Sequence, residues 1–204
     1  MKERIQNAAR DIFIKDGYSR LNMDDLAREL GISKKTIYEH FDTKKQLFAD
    51  TVKSIYEAKF EQMRNLMSEM TEDGEFRFIE KLPKLWDMIK GFTNIFTPVL
   101  LADIHKYAHE LNDYCRFQDD MMKNHMNKVF VIGKNKGYVK EHVNEEVFRM
   151  MFMSSMYHIM RPEILAQLPC TMEECMYTIY EILHTGVLSE KGRTDYNKLI
   201  LLNK

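Results

Sequence analysis

Residues 22–48, NMDDLARELGISKKTIYEHFDTKKQLF, decide how this chain folds. Asn22 can cap a helix start, because its side-chain oxygen can accept from an orphan backbone N–H of the first turn. Leu26 and Leu30 stand four apart and share one buried face. The small Ala27 lies beside them, where another helix can approach closely. Gly31 follows where the chain must turn, and glycine enters the left-handed region at little cost. Ser33 then caps a second, short helix in which Ile37 and Phe41 face inward. Thr43 and Gln46 form a capping box that opens a third helix. Three capped starts around one glycine turn describe a helix-turn-helix with a further helix docked behind it, a device for setting one short helix in a DNA groove.

On these motifs, residues 1 to about 50 resemble the DNA-binding domain of the TetR/AcrR family of bacterial transcriptional regulators. The run GISKKTIYEHFDTKKQLF (31–48) is similar to the family's glycine turn, Tyr-x-x-Phe and Lys-x-x-Leu signature, and the spacing agrees across three consecutive helices. Asn22 stands where the family usually has Thr, and both residues cap. The resemblance implies an all-α protein: an N-terminal three-helix DNA-binding domain over residues 1–47 and a larger helical effector-binding and dimerisation domain over 48–204. It further implies a repressor that occupies an operator in double-stranded DNA and is released by a small effector.

A helix lying in the major groove needs an outward face of long or hydrogen-bonding side chains. Lys34, Lys35, Thr36, Tyr38 and Glu39 supply that face after the capping Ser33. By position, the resemblance makes Lys34, Lys35 and Thr36 candidates for base edges or nearby phosphates. Tyr38 and His40 would approach the backbone. Lys44 would meet a phosphate beside the N-terminal amides of its helix, and Arg28 would reach another. Taken singly, each lysine also reads as part of a solvated face, and Tyr38 as a partly buried aromatic.

Composition sets the frame. The 204 residues are 45% apolar and 30% charged, with eight glycines and four prolines, which favours a globular all-helical chain. Net charge is −1, but residues 1–47 carry ten Lys or Arg against eight Asp or Glu, and the lysines crowd residues 34–45. No stretch reaches membrane-span length and MKERIQNAAR has no signal-peptide core, so the expected location is cytoplasmic, with no membrane partner. Cys115, Cys170 and Cys175 form no CxxC pair, which argues against a zinc finger or disulfide framework.

Apolar periodicity predicts a first helix from about Lys2 to Lys15, ended by Gly17, with Tyr18 packed under the three-helix unit. A long helix runs from Thr43 through Met67, about 40 Å if unbroken. TEDGE (71–75) is read as a break, with helices following at about 75–91, 96–111, 113–135, 144–161 and 171–188. Pro83 is expected to kink or split its helix, and Asn144 and the Thr171–Glu174 pair to cap theirs. The tail from Ser189 ends in LILL, a short packing helix or a frayed end. The segments 144–161 and 171–188 are the expected dimer helices. Methionines at 150, 151, 153, 156 and 160 spread around the first, suiting burial against both its own core and a partner.

Sixteen methionines and many aromatics describe an adaptable interior. Trp86, Phe96, Tyr107, Phe117, Phe130, Phe152 and Tyr157 either line a pocket between helices or form ordinary core. By the resemblance they would hold a small apolar ligand. Other readings stay open. His105 and His109 have a helical metal spacing without the His-Glu-x-x-His motif, so no metal is expected. Cys170 and Cys175 could make a redox switch, and a protein partner could replace the effector. There is no nucleophile elbow, phosphate-binding glycine loop or cofactor fingerprint, so neither enzymatic activity nor a cofactor is expected.

Overall fold

The computed structural model describes residues 1–70 and 78–202, with side chains throughout except at 78, 112–113, 115–122 and 200–202. TEDGE and Phe117 therefore lie outside the described backbone and side chains respectively. The described residues are helical, with one isolated antiparallel bridge, Val139 to Leu188. In chain order the helices are α1 (Lys2–Lys15), α2 (Met23–Leu30), α3 (Lys34–Tyr38), α4 (Lys44–Glu69), α5 (Phe78–Thr93), α6 (Pro98–Tyr107), α7 (Leu111–Asn135), α8 (Glu145–Ile159), α9 (Pro162–Leu165), α10 (Met172–Tyr180) and α11 (Glu190–Leu202). A 3₁₀ turn at Tyr18–Arg20 precedes α2, and a π turn at Glu181–Thr185 follows α10.

The chain divides into two compact units, Met1–Lys59 with Asn94–Arg116, and Phe60–Thr93 with Phe117–Lys204. The first reaches past residue 47 to take in the start of α4 and all of α6. Its core is built from Ile5, Ala9 and Phe13 of α1, Leu26 and Leu30 of α2, Ile37 of α3, Phe41, and Leu47 and Phe48 of α4, all buried. Each fully buried Leu, Ile or Phe contributes about 1.5–3 kcal/mol of transfer free energy. Apolar contact therefore holds α3 in place, since five residues make a poor helix on their own.

In the second unit α10 packs on α5 and α8. The Tyr180 hydroxyl donates to Leu82 O at 2.8 Å, a buried bond between α10 and α5. Of the two outcomes expected at Pro83, a split does not occur: α5 runs through it. The buried side chains Ile79, Leu82, Leu85 and Ile89 along one face offset the roughly 3 kcal/mol that an interior proline costs. The tail from Ser189 continues into α11, whose helical backbone includes LILL (199–202), while the packing of residues 200–202 lies outside the described side chains. Gly192 there lies so close to Tyr138 O that no room is left for a Cβ.

Candidate nucleic-acid interface

The capping logic read from residues 22–48 operates in the structure. Asn22 Oδ1 accepts from Asp24 N–H at 2.8 Å, and Ser33 Oγ accepts from Thr36 N–H at 3.0 Å. Gly31 sits between them at φ 63°, ψ 33°, the left-handed conformation that closes α2. Thr43 Oγ1 accepts from Gln46 N–H at 3.0 Å, but Gln46 Oε1 reaches back to Asp42 N–H rather than to Thr43 N–H. The predicted box is thus displaced by one residue on its return bond.

These turns leave Lys34, Lys35, Tyr38 and Glu39 exposed around the buried Ile37, with Thr36 half-buried. Tyr38 is 40% exposed, so it is not the core aromatic it could have been. Lys35 has no ion-pair partner among the described residues, whereas Lys34 Nζ lies 2.9 Å from Asp24 Oδ2. That hydrogen bond holds the Lys34 ammonium above its ordinary pKa, and the pair is exposed. Exposed pairs are weak and exchange readily for a phosphate. Arg28 is likewise exposed and paired with Asp25 at 3.0 Å, and His40 is half-buried.

Lys44 differs from its reading as a plain phosphate contact. Its Nζ donates to Leu21 O at 2.6 Å and lies 4.5 Å from the Tyr18 ring centroid. Partial desolvation lowers its pKa. Lys44 therefore ties the start of α4 to the turn before α2, with only part of its ammonium turned elsewhere. Lys45 beside it is exposed, and sequence reasoning gave it no individual role.

The interface is also braced by residues far along the chain. Tyr18 N–H donates to Asp103 Oδ2 at 2.6 Å, and the Tyr18 ring stacks on Tyr107 at 4.1 Å. Thr97 Oγ1 donates to Ile14 O at 2.9 Å. Gly17, at φ 87°, ψ 172°, allows this approach, since a Cβ there would lie 2.7 Å from Asp103 Oδ2. Nothing local in the sequence marks Asp103 as part of this unit, because its partner lies 85 residues away.

The residues proposed to line a pocket do not all come together. Tyr107 packs on Tyr18 and Phe96 on Tyr56, both within the first unit. In the second unit Trp86 meets Tyr177 and Tyr180. There Phe130 meets Phe148, while Phe148 and Phe152 both turn their rings to His184. His184 stacks on Tyr180 at 4.4 Å and joins the two groups. Tyr157 on α8 is half-buried. His184 Nδ1–H donates to Tyr180 O at 3.2 Å, and burial pushes its imidazole down to about 4. It is therefore neutral near pH 7.

On the expected dimer helices, Met172 and Met176 are buried in their own unit. Val147, Met150 and Met151 of α8, with Tyr177 and Ile182 at and beyond α10, are large apolar side chains left exposed.

Comparison with known proteins agrees with this geometry. The family described as "Bacterial regulatory proteins, tetR family" matches residues 5–51. The uncharacterised HTH-type transcriptional regulator YvaF of Bacillus subtilis (strain 168) is 23% identical over 193 residues, covering 94% of this chain and 97% of that one. The biofilm operon icaADBC HTH-type negative transcriptional regulator IcaR of Staphylococcus epidermidis is 22% identical over 130 residues, 60% of this chain and 68% of its own. Among solved structures, the transcriptional regulator FadR from Bacillus subtilis in complex with stearoyl-CoA superposes with a TM-score of 0.58 at 17% identity. It covers 92% of this chain and 100% of its own. The capped helix-turn-helix and these likenesses agree: residues 5–51 are similar to the DNA-binding region of bacterial regulatory proteins of the tetR family, and the chain over most of its length is similar to an HTH-type transcriptional regulator.

Proposed function

We propose that this protein is a cytoplasmic homodimeric repressor that binds a palindromic operator through α3 and leaves it when a small apolar effector binds the second unit. The observation that carries the DNA reading is the exposed Lys34, Lys35 and Tyr38, with the half-buried Thr36 beside them, on a short helix fixed from behind by Ile37 and Phe41. Lys34, Lys35 and Thr36 would reach base edges or adjacent phosphates, with Ser33 at the cap. Tyr38, His40, Arg28 and the free part of Lys44 would engage the backbone. Phosphate contacts set affinity and register, while base contacts choose the sequence.

The dimer reading rests on Val147, Met150, Met151, Tyr177 and Ile182, an apolar set that α8 and α10 leave to solvent. A two-fold axis through this face would present two copies of α3 to half-sites about 34–36 Å apart or multiples of a helical turn. Repression agrees with the IcaR likeness, and an apolar effector with the stearoyl-CoA complex of FadR.

The effector would lie among Trp86, Phe130, Phe152 and Tyr157. Asn127 Oδ1, one turn before Phe130 on α7, is buried without a hydrogen-bond partner among the described residues. It offers one acceptor to orient a ligand otherwise held by apolar contact. Because α4 runs through both units, a ligand that prefers one setting of α4 would shift the spacing of the two α3 helices. Release then follows from its differential affinity for the two states. The test is operator binding by fluorescence anisotropy against a panel of long-chain acyl and aromatic compounds. A compound that binds the protein and weakens operator affinity at least about fivefold supports the reading. Compounds that bind without changing operator affinity contradict it.

A further inference from the structure

The start of α10 reads Cys170-Thr171-Met172-Glu173-Glu174-Cys175. Thr171 is the N-cap, so Cys170 is the residue before the cap and Cys175 is the fourth helical residue. Helices often place two apolar side chains at these two positions, in contact across the first turn. Here both are cysteines, and their Sγ atoms lie 2.7 Å apart.

The surrounding bonds hold that approach in place. Thr171 N–H donates to Glu174 Oε2 at 2.7 Å, and Glu174 N–H donates to Thr171 Oγ1 at 3.2 Å. Cys175 N–H donates to Thr171 O at 3.0 Å. Lys90 on α5 lies 3.1 Å from Glu173 Oε1, which ties the same turn to its neighbour. Both sulfurs therefore stay together without further ordering, and only one is accessible: Cys170 is exposed and Cys175 is buried.

We propose that Cys170 and Cys175 form a dithiol that a hydroperoxide oxidises to a reversible intramolecular disulfide. The exposed Cys170 reacts first. Its thiolate attacks the peroxide, an S–O bond forms as the O–O bond breaks, and the departing alkoxide takes up a proton to leave as an alcohol. Cys170 is then a sulfenic acid. Cys175 sulfur attacks the Cys170 sulfur next; the S–S bond forms, the S–O bond breaks, and hydroxide leaves with the Cys175 proton as water. The peroxide is the two-electron oxidant, and an external thiol reverses the closure by exchange.

The order follows from access. Burial and the hydrogen bond that its S–H donates to Cys170 sulfur push the Cys175 thiol up to about 11, so it stays protonated and unreactive toward oxidant in solution. Its role is to resolve the sulfenic acid beside it. The product is a covalent tie across the first turn of α10 that replaces a thiol contact.

The test uses the full-length protein carrying Cys115→Ser, which removes the third thiol. Reduced protein is treated with hydrogen peroxide and followed by intact mass and non-reducing peptide mapping. The expected product is a monomeric chain lighter by two hydrogens, with the peptides of Cys170 and Cys175 joined, and fully restored by dithiothreitol. In a second protein with Cys175→Ser, dimedone should trap a sulfenic acid at Cys170. A sulfenic acid persisting when both cysteines are present would overturn the proposal, as would a disulfide joining two chains through Cys170.

Discussion

Gly17 and Gly31 both have positive φ, yet their replacement by alanine should have different consequences. At Gly31, φ 63° and ψ 33° lie in the left-handed helical region and a Cβ would meet nothing within 4 Å. Gly31→Ala should therefore cost only the conformational penalty, about 1–2 kcal/mol. At Gly17, φ 87° and ψ 172° fall in a region that only glycine occupies freely, costing about 1–3 kcal/mol for any other residue. The new Cβ would also lie 2.7 Å from Asp103 Oδ2 and 2.8 Å from Val99 Cγ1. Asp103 must then move, and its bond from Tyr18 N–H is strained or lost, for a further cost of about 1.5–3 kcal/mol. The sum is about 2.5–6 kcal/mol for Gly17→Ala, so it should exceed Gly31→Ala by about 2–3 kcal/mol. Urea unfolding of both variants, followed by circular dichroism, gives the comparison. Equal costs at the two glycines would refute the claim that α6 packs against the corner at Gly17.

Three further outcomes follow from individual side chains. Lys35→Ala should reduce the slope of log affinity against log salt by about 2 for a dimer, one phosphate contact from each protomer, measured by anisotropy titration. His184 is depressed to about 4 in the fold against an ordinary value near 6.5, so the unfolded chain binds the extra proton between those values. Stability from this group is fully present above about pH 6.5 and is lost as pH falls toward 4, by roughly 3 kcal/mol. The difference in unfolding free energy between wild type and His184→Gln should show that slope. Met150→Glu combined with Ile182→Glu should leave the chain monomeric in sedimentation velocity if the proposed dimer forms through this face, where both side chains are over half exposed in the single chain.

The legible part of this fold was the part held by short-range bonds. Asn22, Gly31 and Ser33 act within three residues of themselves, so spacing alone announces what each does. The same holds for Asn144, which caps α8 through Val147 N–H, and for the Thr171–Glu174 box. Long-range packing was less legible. Asp103 and Tyr107 brace Tyr18 from α6, and nothing in their neighbourhood distinguishes them from surface or pocket residues. Lys34 and Lys44 show the same limit, since lysine at a helix start predicts a charge but not the Asp24 or Leu21 partner that holds it. Pro83 does not split α5, because burial along one face of that helix outweighs the local preference of proline. The approach of Cys170 to Cys175 depends on the angle at which the chain enters its cap, which spacing does not specify.

Operator recognition by α3, as proposed, is open to direct test. The most direct measurement is selection of bound fragments from genomic DNA, followed by titration of the best fragment at several salt concentrations with wild type and Tyr38→Ala. Operator reading through α3 requires a two-fold symmetric site, a steep salt dependence, and an affinity loss of about tenfold or more in the variant, with folding unchanged because Tyr38 is exposed. Weak binding that ignores sequence and is untouched by Tyr38→Ala would contradict it.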